Sequence, residues 1–227
     1  MTTRPASPGD GGGADRAPRR AYRSPLRDAQ VQATRRAVVA AAHDLFVEVG
    51  YAAATVDAIA ERAGVSRKTV FTAVGGKAVL LDRALDLALR GDEDQRPVSQ
   101  RPEIRAEAEE TDPTRLVHLW VRRLAVIERR VARLALVLAA AADGDPDAAR
   151  LHESSERGRR EMARRLAGRL AEIGGLRRGV DVDRAEVIAA LVSEPLVYQR
   201  LVLDAGWTVA AYARWTQQTL VDALLPR

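Results

Sequence analysis

Between Thr55 and Lys77 the chain gathers polar donors that one short helix can present together: Ser66, Arg67, Lys68, Thr69 and Thr72. Val70, Phe71 and Val74 are spaced to form the inward face of that helix. Guanidinium, ammonium and hydroxyl groups on an exposed face donate hydrogen bonds to base edges and phosphate oxygens, and an arginine can grip guanine O6 and N7 with two bonds at once. Groups for covalent chemistry are scarce. The chain has no cysteine, and His43, His118 and His152 stand apart without the spacing of metal ligands. Gly75-Gly76-Lys77-Ala78 does not make a phosphate loop: Phe71 stands where its first glycine belongs, and Ala78 replaces the hydroxyl that a magnesium site needs. Neither G-x-S-x-G nor H-E-x-x-H occurs. These residues predict a binding protein that uses no metal or cofactor and is not an enzyme.

The elements that must position these donors are helices. Val38, Ala42, Leu45, Phe46 and Val49 recur at three- and four-residue steps, which predicts an amphipathic helix from about Asp28 to Val49, closed by Gly50. Thr55 sits where an N-cap belongs, ahead of the apolar series Val56, Ile59, Ala60 and Ala63. Gly64 ends that helix, Val65 fills the turn, and Ser66 caps the next helix, which runs to about Val74. Two short helices joined by a glycine-containing turn have the form of a helix-turn-helix. Gly75-Gly76 breaks the chain before a longer helix from Lys77 to about Arg90.

Thr55 to Lys77 reads TVDAIAERAGVSRKTVFTAVGGK, and the helix before it ends in Phe46, Gly50 and Tyr51. This segment resembles the DNA-binding part of TetR-family transcriptional regulators over about residues 30–82. The resemblance implies that Arg67, Lys68, Thr69 and Thr72 face the major groove, that Thr55 and Lys77 touch the phosphate backbone, and that Phe71 stands where a backbone-directed tyrosine is usual. Ala73 and Val74 also depart from the family's histidine and phenylalanine, so phosphate contacts are fewer. It further implies a homodimer formed through the last two helices, a palindromic operator of double-stranded DNA, and a small-molecule effector that releases a repressor.

Charge placement agrees with a nucleic-acid partner at the N-terminal end. Arginine is abundant everywhere, but residues 1–27 hold six arginines against two aspartates, while beyond Lys77 the acidic and basic groups balance. Residues 1–26, rich in Gly, Pro, Ala and Arg, are expected to be a disordered basic tail, either merely solvated or acting as a minor-groove arm. Residues 27–76 form the expected DNA-binding domain and 77–227 a helical domain for effector binding and dimerisation. The whole is an all-α protein of about nine helices: a three-helix N-terminal domain on a C-terminal bundle.

Residues 91–112 are polar and carry two prolines, which predicts a linker. Helices are expected over about 114–142, to about 173, 183–203 and 208–225, with Pro195 kinking the third of these. The arginines at 159, 160, 164, 165 and 169 alternate with glutamates and are expected on a solvated face. Candidate effector-pocket residues are His118, Trp120, Glu194 and Tyr198, polar or aromatic groups set among apolar neighbours. No apolar run reaches the ~18 residues of a membrane span, and the N-terminus lacks a signal-peptide core, so no membrane partner and a cytoplasmic location are expected. Two rival readings remain: a DNA-binding dimer whose bundle only dimerises or docks another protein, and a helical enzyme.

Overall fold

The computed structural model describes residues 25–91 and 101–227, and every regular element among them is helical. In chain order these are α1 (Pro25–Ala53), α2 (Val56–Arg62), α3 (Arg67–Ala73), α4 (Lys77–Arg90), α5 (Pro102–Glu109), α6 (Pro113–Ala142), α7 (Pro146–Glu172), α8 (Val182–Val192), α9 (Pro195–Tyr198), a π-helical turn (Gln199–Asp204) and α10 (Val209–Leu224). The all-α expectation holds. The basic tail lies outside the described residues, apart from the start of α1, as do residues 92–100 of the expected linker.

Two local expectations are corrected. First, the far end of the expected linker is helical. Pro102 occupies a first-turn position of α5, where its missing N–H costs nothing, and Arg123 of α6 clamps Glu107 of α5 with bonds of 2.6 and 2.9 Å. Second, the expected helix over 183–203 is two pieces. α8 stops at Val192, Glu194 is extended (φ −66°, ψ 130°), and Pro195 opens α9 rather than kinking a continuous helix. A residue before proline is pushed away from helical geometry, so the proline begins a new turn. Gly50 closes the first helix as expected: its backbone is non-helical (φ 78°, ψ 172°), and one further short turn to Ala53 follows it. Glycine adopts that positive φ without steric cost.

The helices pack into three apolar clusters. The first joins α1 to α4: Val38, Ala42, Phe46, Ile59, Val70, Leu80 and Leu81 are fully buried, together with Leu134 and Leu138 from the second half of α6. The second uses the first half of α6, with Leu116, Trp120 and Leu124 against Leu166 and Leu170 of α7, Ala185 and Ala189 of α8, and Leu220 and Leu224 of α10. The third is small, with Ala125 and Ala132 of α6 beside Tyr198 and Tyr212, whose rings meet edge-on at 5.0 Å. A single long helix, α6, thus supplies side chains to every cluster.

One polar contact ties the α1–α4 head to the bundle. Asp145 caps α7, its Oδ1 accepting from the backbone N–H of Asp147 (2.8 Å) and Ala148 (3.2 Å). Its other oxygen accepts a 2.7 Å bond from the Tyr51 hydroxyl at the end of α1. That bond is the main reason the Asp145 carboxyl lies below its ordinary pKa. Burial, reinforced by the same aspartate, pushes the Tyr51 phenol up. Tyr51→Phe removes this link, and urea denaturation should show a loss of about 0.5–1.5 kcal/mol with the helix content of the native state unchanged.

Candidate nucleic-acid interface and internal cavity

α2 and α3 are short helices that rely on their caps and on a few inward residues. Thr55 Oγ1 accepts from Ala58 N–H at 3.1 Å and Ser66 Oγ from Thr69 N–H at 3.1 Å, each satisfying a first-turn donor that has no partner within its helix. The turn between them passes through Gly64 at φ 67°. Ile59 and Val70 are fully buried and anchor the pair to α1. Arg62 of α2 also reaches Glu48 of α1 at 2.8 Å.

This anchoring leaves one face of α3 open. Arg67, Lys68 and Thr72 are exposed, while Thr69 is half-buried and shares a hydrogen bond with Ser66 Oγ at 2.8 Å. The Thr72 hydroxyl donates back to the Lys68 and Thr69 carbonyls at 3.0 and 3.1 Å, which fixes its side chain against its own helix. Phe71 corrects the inward expectation, since it is 45% exposed. Val70 is the buried residue of this seven-residue helix, and Phe71, about 100° further round, falls outside that narrow contact. Arg67 sits over the Phe71 ring at 5.5 Å and donates to Asp57 of α2 at 2.6 Å. Both partners of that ion pair are more than half exposed, so it is a weak tether that a guanine or phosphate can displace.

Lys77 sits differently. Its ammonium donates to the Ala52 carbonyl at 3.1 Å and lies 4.5 Å from the Tyr51 ring centre. It satisfies a backbone carbonyl at the end of α1, and partial burial lowers its pKa despite the pull of Asp145. Thr55 is exposed at the start of α2 with its hydroxyl already engaged as a cap.

The bundle contains a cavity of about 1510 Å³ bounded by α4, α5, α6, α7 and the start of α9. Leu85, Leu89, Ile104, Leu119, Ile127 and Met162 are among its apolar walls. Of the four residues expected to line a pocket, Glu194 does so. His118 instead lies exposed on the outer surface, paired with Gln217 at 2.9 Å, while Trp120 is packed within the second cluster and Tyr198 within the third. The sequence reading did not single out Glu128. It is 4% exposed on the cavity wall, and its Oε2 has no hydrogen-bond partner. Burial pushes its pKa up to about 8, against the pull of Arg159 and with help from Glu194. The available signal was one carboxylate in the otherwise apolar stripe Leu124-Ala-Val-Ile-Glu128. Arg159 also departs from the expected solvated face. Its side chain is 13% exposed, bonded to Glu156 at 2.5 Å and Glu194 at 2.6 Å, and it donates to the Ala190 carbonyl.

A capped two-helix unit held against a third helix, with an open second helix and a hollow bundle behind it, defines a helix-turn-helix protein. Residues 38–84 match the bacterial regulatory proteins of the tetR family. The chain is 45% identical over 58 residues to YdeS, an uncharacterised HTH-type transcriptional regulator of Bacillus subtilis. That match spans 25% of this chain and 29% of YdeS. Over the whole fold it is similar to NalD of Pseudomonas aeruginosa, the secondary repressor of the MexAB-OprM multidrug efflux pump, with a TM-score of 0.65 at 20% identity over 86% of this chain and 98% of NalD. It is likewise similar to SmeT, the repressor of the Stenotrophomonas maltophilia efflux pump SmeDEF (TM-score 0.62, 18% identity, 86% and 92% covered). At these identities the likeness is one of fold. No helix among the described residues is long and apolar enough to cross a membrane.

The raised Glu128 pKa fixes the sign of a pH effect. Between about pH 4.5 and 8 the folded protein keeps a proton on Glu128 that the unfolded chain has released. Its contribution is therefore fully present at the acid end and is lost as pH rises towards 8. Denaturation midpoints measured from pH 5 to 8.5 should fall less steeply for Glu128→Gln than for the native chain; parallel curves would contradict the assignment.

Proposed function

We propose that this protein is a dimeric, operator-binding transcriptional repressor whose affinity for DNA is set by a small molecule in the bundle cavity. The observation that carries the reading is the outward face of α3, where Arg67, Lys68 and Thr72 project from a helix fixed by the Ser66 cap and the Val70 anchor. A helix so presented fits the major groove, with its first residues at the base edges. In this reading residues 27–76 read DNA, Arg67 specifies a base, and Lys68, Thr69 and Thr72 complete the groove contacts. Thr55, Phe71 and Lys77 flank the phosphates, and residues 77–227 dimerise and sense the effector.

Two features support the rest. α8 and the segment after it expose Val187 (67%), Leu191 (64%) and Leu196 (45%), an apolar surface of the kind that partners cover. A two-fold dimer through α8 and α10 would bury it and set two copies of α3 on one face of DNA, ~34–36 Å apart. The cavity favours the effector reading over a bundle that only dimerises, and SmeT, of the same fold, has been solved in complex with triclosan. α4 lines the cavity and begins three residues after α3 ends, so a ligand that shifts α4 would alter the spacing of the two reading heads. Only a ligand with different affinities for the two spacings can do this.

The direct test is selection of binding sites from random duplex DNA at physiological salt. A palindrome with half-sites about one helical turn apart is the expected result, and recovery of unenriched DNA whose binding vanishes with salt would contradict it. With the selected site in hand, Arg67→Ala should cost about 1–3 kcal/mol and relax preference at one symmetric position, as read by anisotropy titrations on single-base variants. Leu191→Arg should shift the protein from dimer to monomer in sedimentation equilibrium and weaken operator binding with it.

A further inference from the structure

We propose that the cavity selects organic cations, an apolar body carrying a protonated amine, with Glu128 as the group that receives the charge. The inference rests on the cavity reading above and adds to it the chemistry of the ligand. Glu128 is 4% exposed on the middle of α6, on a wall that also carries Leu119, Ile127 and Met162, and its Oε2 is bonded to nothing. A buried carboxyl oxygen without a partner carries a desolvation cost that a ligand donor can relieve.

The surrounding charges decide which donor. On α7, Arg159 is held between Glu156 (2.5 Å) and Glu194 (2.6 Å), the latter at the α8–α9 joint, and its remaining bond goes to the Ala190 carbonyl. One guanidinium is thus shared by two carboxylates before Glu128 is counted, and although its pull on Glu128 exceeds the push of Glu194, it makes no hydrogen bond to Glu128 Oε2. His152 on α7, near Glu156, adds positive charge only when protonated. From α9 and α10, Tyr198 and Tyr212 bring uncharged phenols whose pKa values are pushed up, chiefly by burial. Elsewhere on the wall, Arg123 is neutralised by Glu107 and Arg90 by Asp86 at 2.8 Å. Arg122 and Arg130 of α6 also line the cavity, and Arg101, at the N-cap of α5, has an unpartnered Nε; these three favour an anion, but each is less buried than Glu128.

An ammonium beside Glu128 stabilises the carboxylate. In the free protein at pH 7 the carboxyl is mostly protonated, so binding leaves an ammonium–carboxylate pair in the cavity and passes one proton to the buffer. A ligand without charge causes no such release from this group.

The experiment uses the full chain and four probes with one tail, below their micelle concentrations: decylamine, decyltrimethylammonium, decanol and decanoate. Calorimetry at pH 7 in two buffers of different ionisation enthalpy reads affinity and proton release together. The native protein should bind decylamine at least about tenfold more tightly than decanol or decanoate, the range of a charge-assisted hydrogen bond, with proton release. Glu128→Gln should bind decanol as before and lose both the preference and the release. Binding of decyltrimethylammonium as tight as decylamine would keep the cation and remove the hydrogen bond, overturning the role given to Oε2. A preference for decanol or decanoate, or a decylamine preference that survives in Glu128→Gln, would overturn the proposal while leaving the cavity reading intact. Failure of all four probes to bind would overturn the cavity reading itself, and this inference with it.

Discussion

The rest of the molecule depends on α6 being one unbroken 30-residue rod. Its second half completes the core of the head through Val131, Leu134 and Leu138, and its first half completes the core of the bundle through Leu116, Trp120 and Leu124. Packed interiors do not deform continuously, so a displacement of one half must be answered by the other. Between the halves lies the stretch with Glu128, where α6 borders the cavity instead of filling it. A buried ionisable side chain is costly at such a place, and a helix selected for stability alone would put an apolar residue there. In the proposed reading, its presence marks the middle of α6 as the part of the rod that would respond to a cavity ligand.

A polar node ties the head to the start of α7. Tyr51, Asp145 and Lys77 meet at the end of α1, where the aspartate caps α7, the tyrosine donates to it and the lysine closes the last turn of α1. This node sits between the reading helix and the bundle, and it gives Lys77 an internal duty alongside the phosphate contact proposed for it. Arg67 has a comparable double attachment, to Asp57 and over Phe71, so its guanidinium is oriented before any base is met.

What was legible in the sequence follows from locality. The caps Thr55 and Ser66, the glycine turn and most of the periodic apolar residues of α1 to α4 are short-range signals that the structure has in place, although Val49, read into the α1 stripe, is 50% exposed. The outward position of Phe71 was misread because a seven-residue helix gives too few turns to separate an inward from a flanking residue. α5 was hidden in charged sequence because its stability comes from a tertiary clamp, Arg123 on Glu107, and not from its own pattern. The break at Ser193-Glu194 could be read only as a proline in an apolar run, which permits a kink or a restart equally. Glu128, Arg159 and Glu194 come from separate helices, and no spacing rule reports a carboxylate that the fold leaves without a partner.

The central claim is that the cavity and the DNA-reading head are coupled through α4 and α6. Coupling of this kind is reciprocal: whatever factor a cavity ligand subtracts from operator affinity, the operator must subtract from the ligand's affinity. The direct measurement is the affinity of a cavity-binding probe for the free protein and for the protein saturated with its selected operator, beside the operator affinity with and without that probe. The account predicts weaker binding in both directions by one common factor. Equal probe affinity for the free and DNA-bound protein would contradict it, leaving a DNA-binding protein whose cavity has no voice in what the head does.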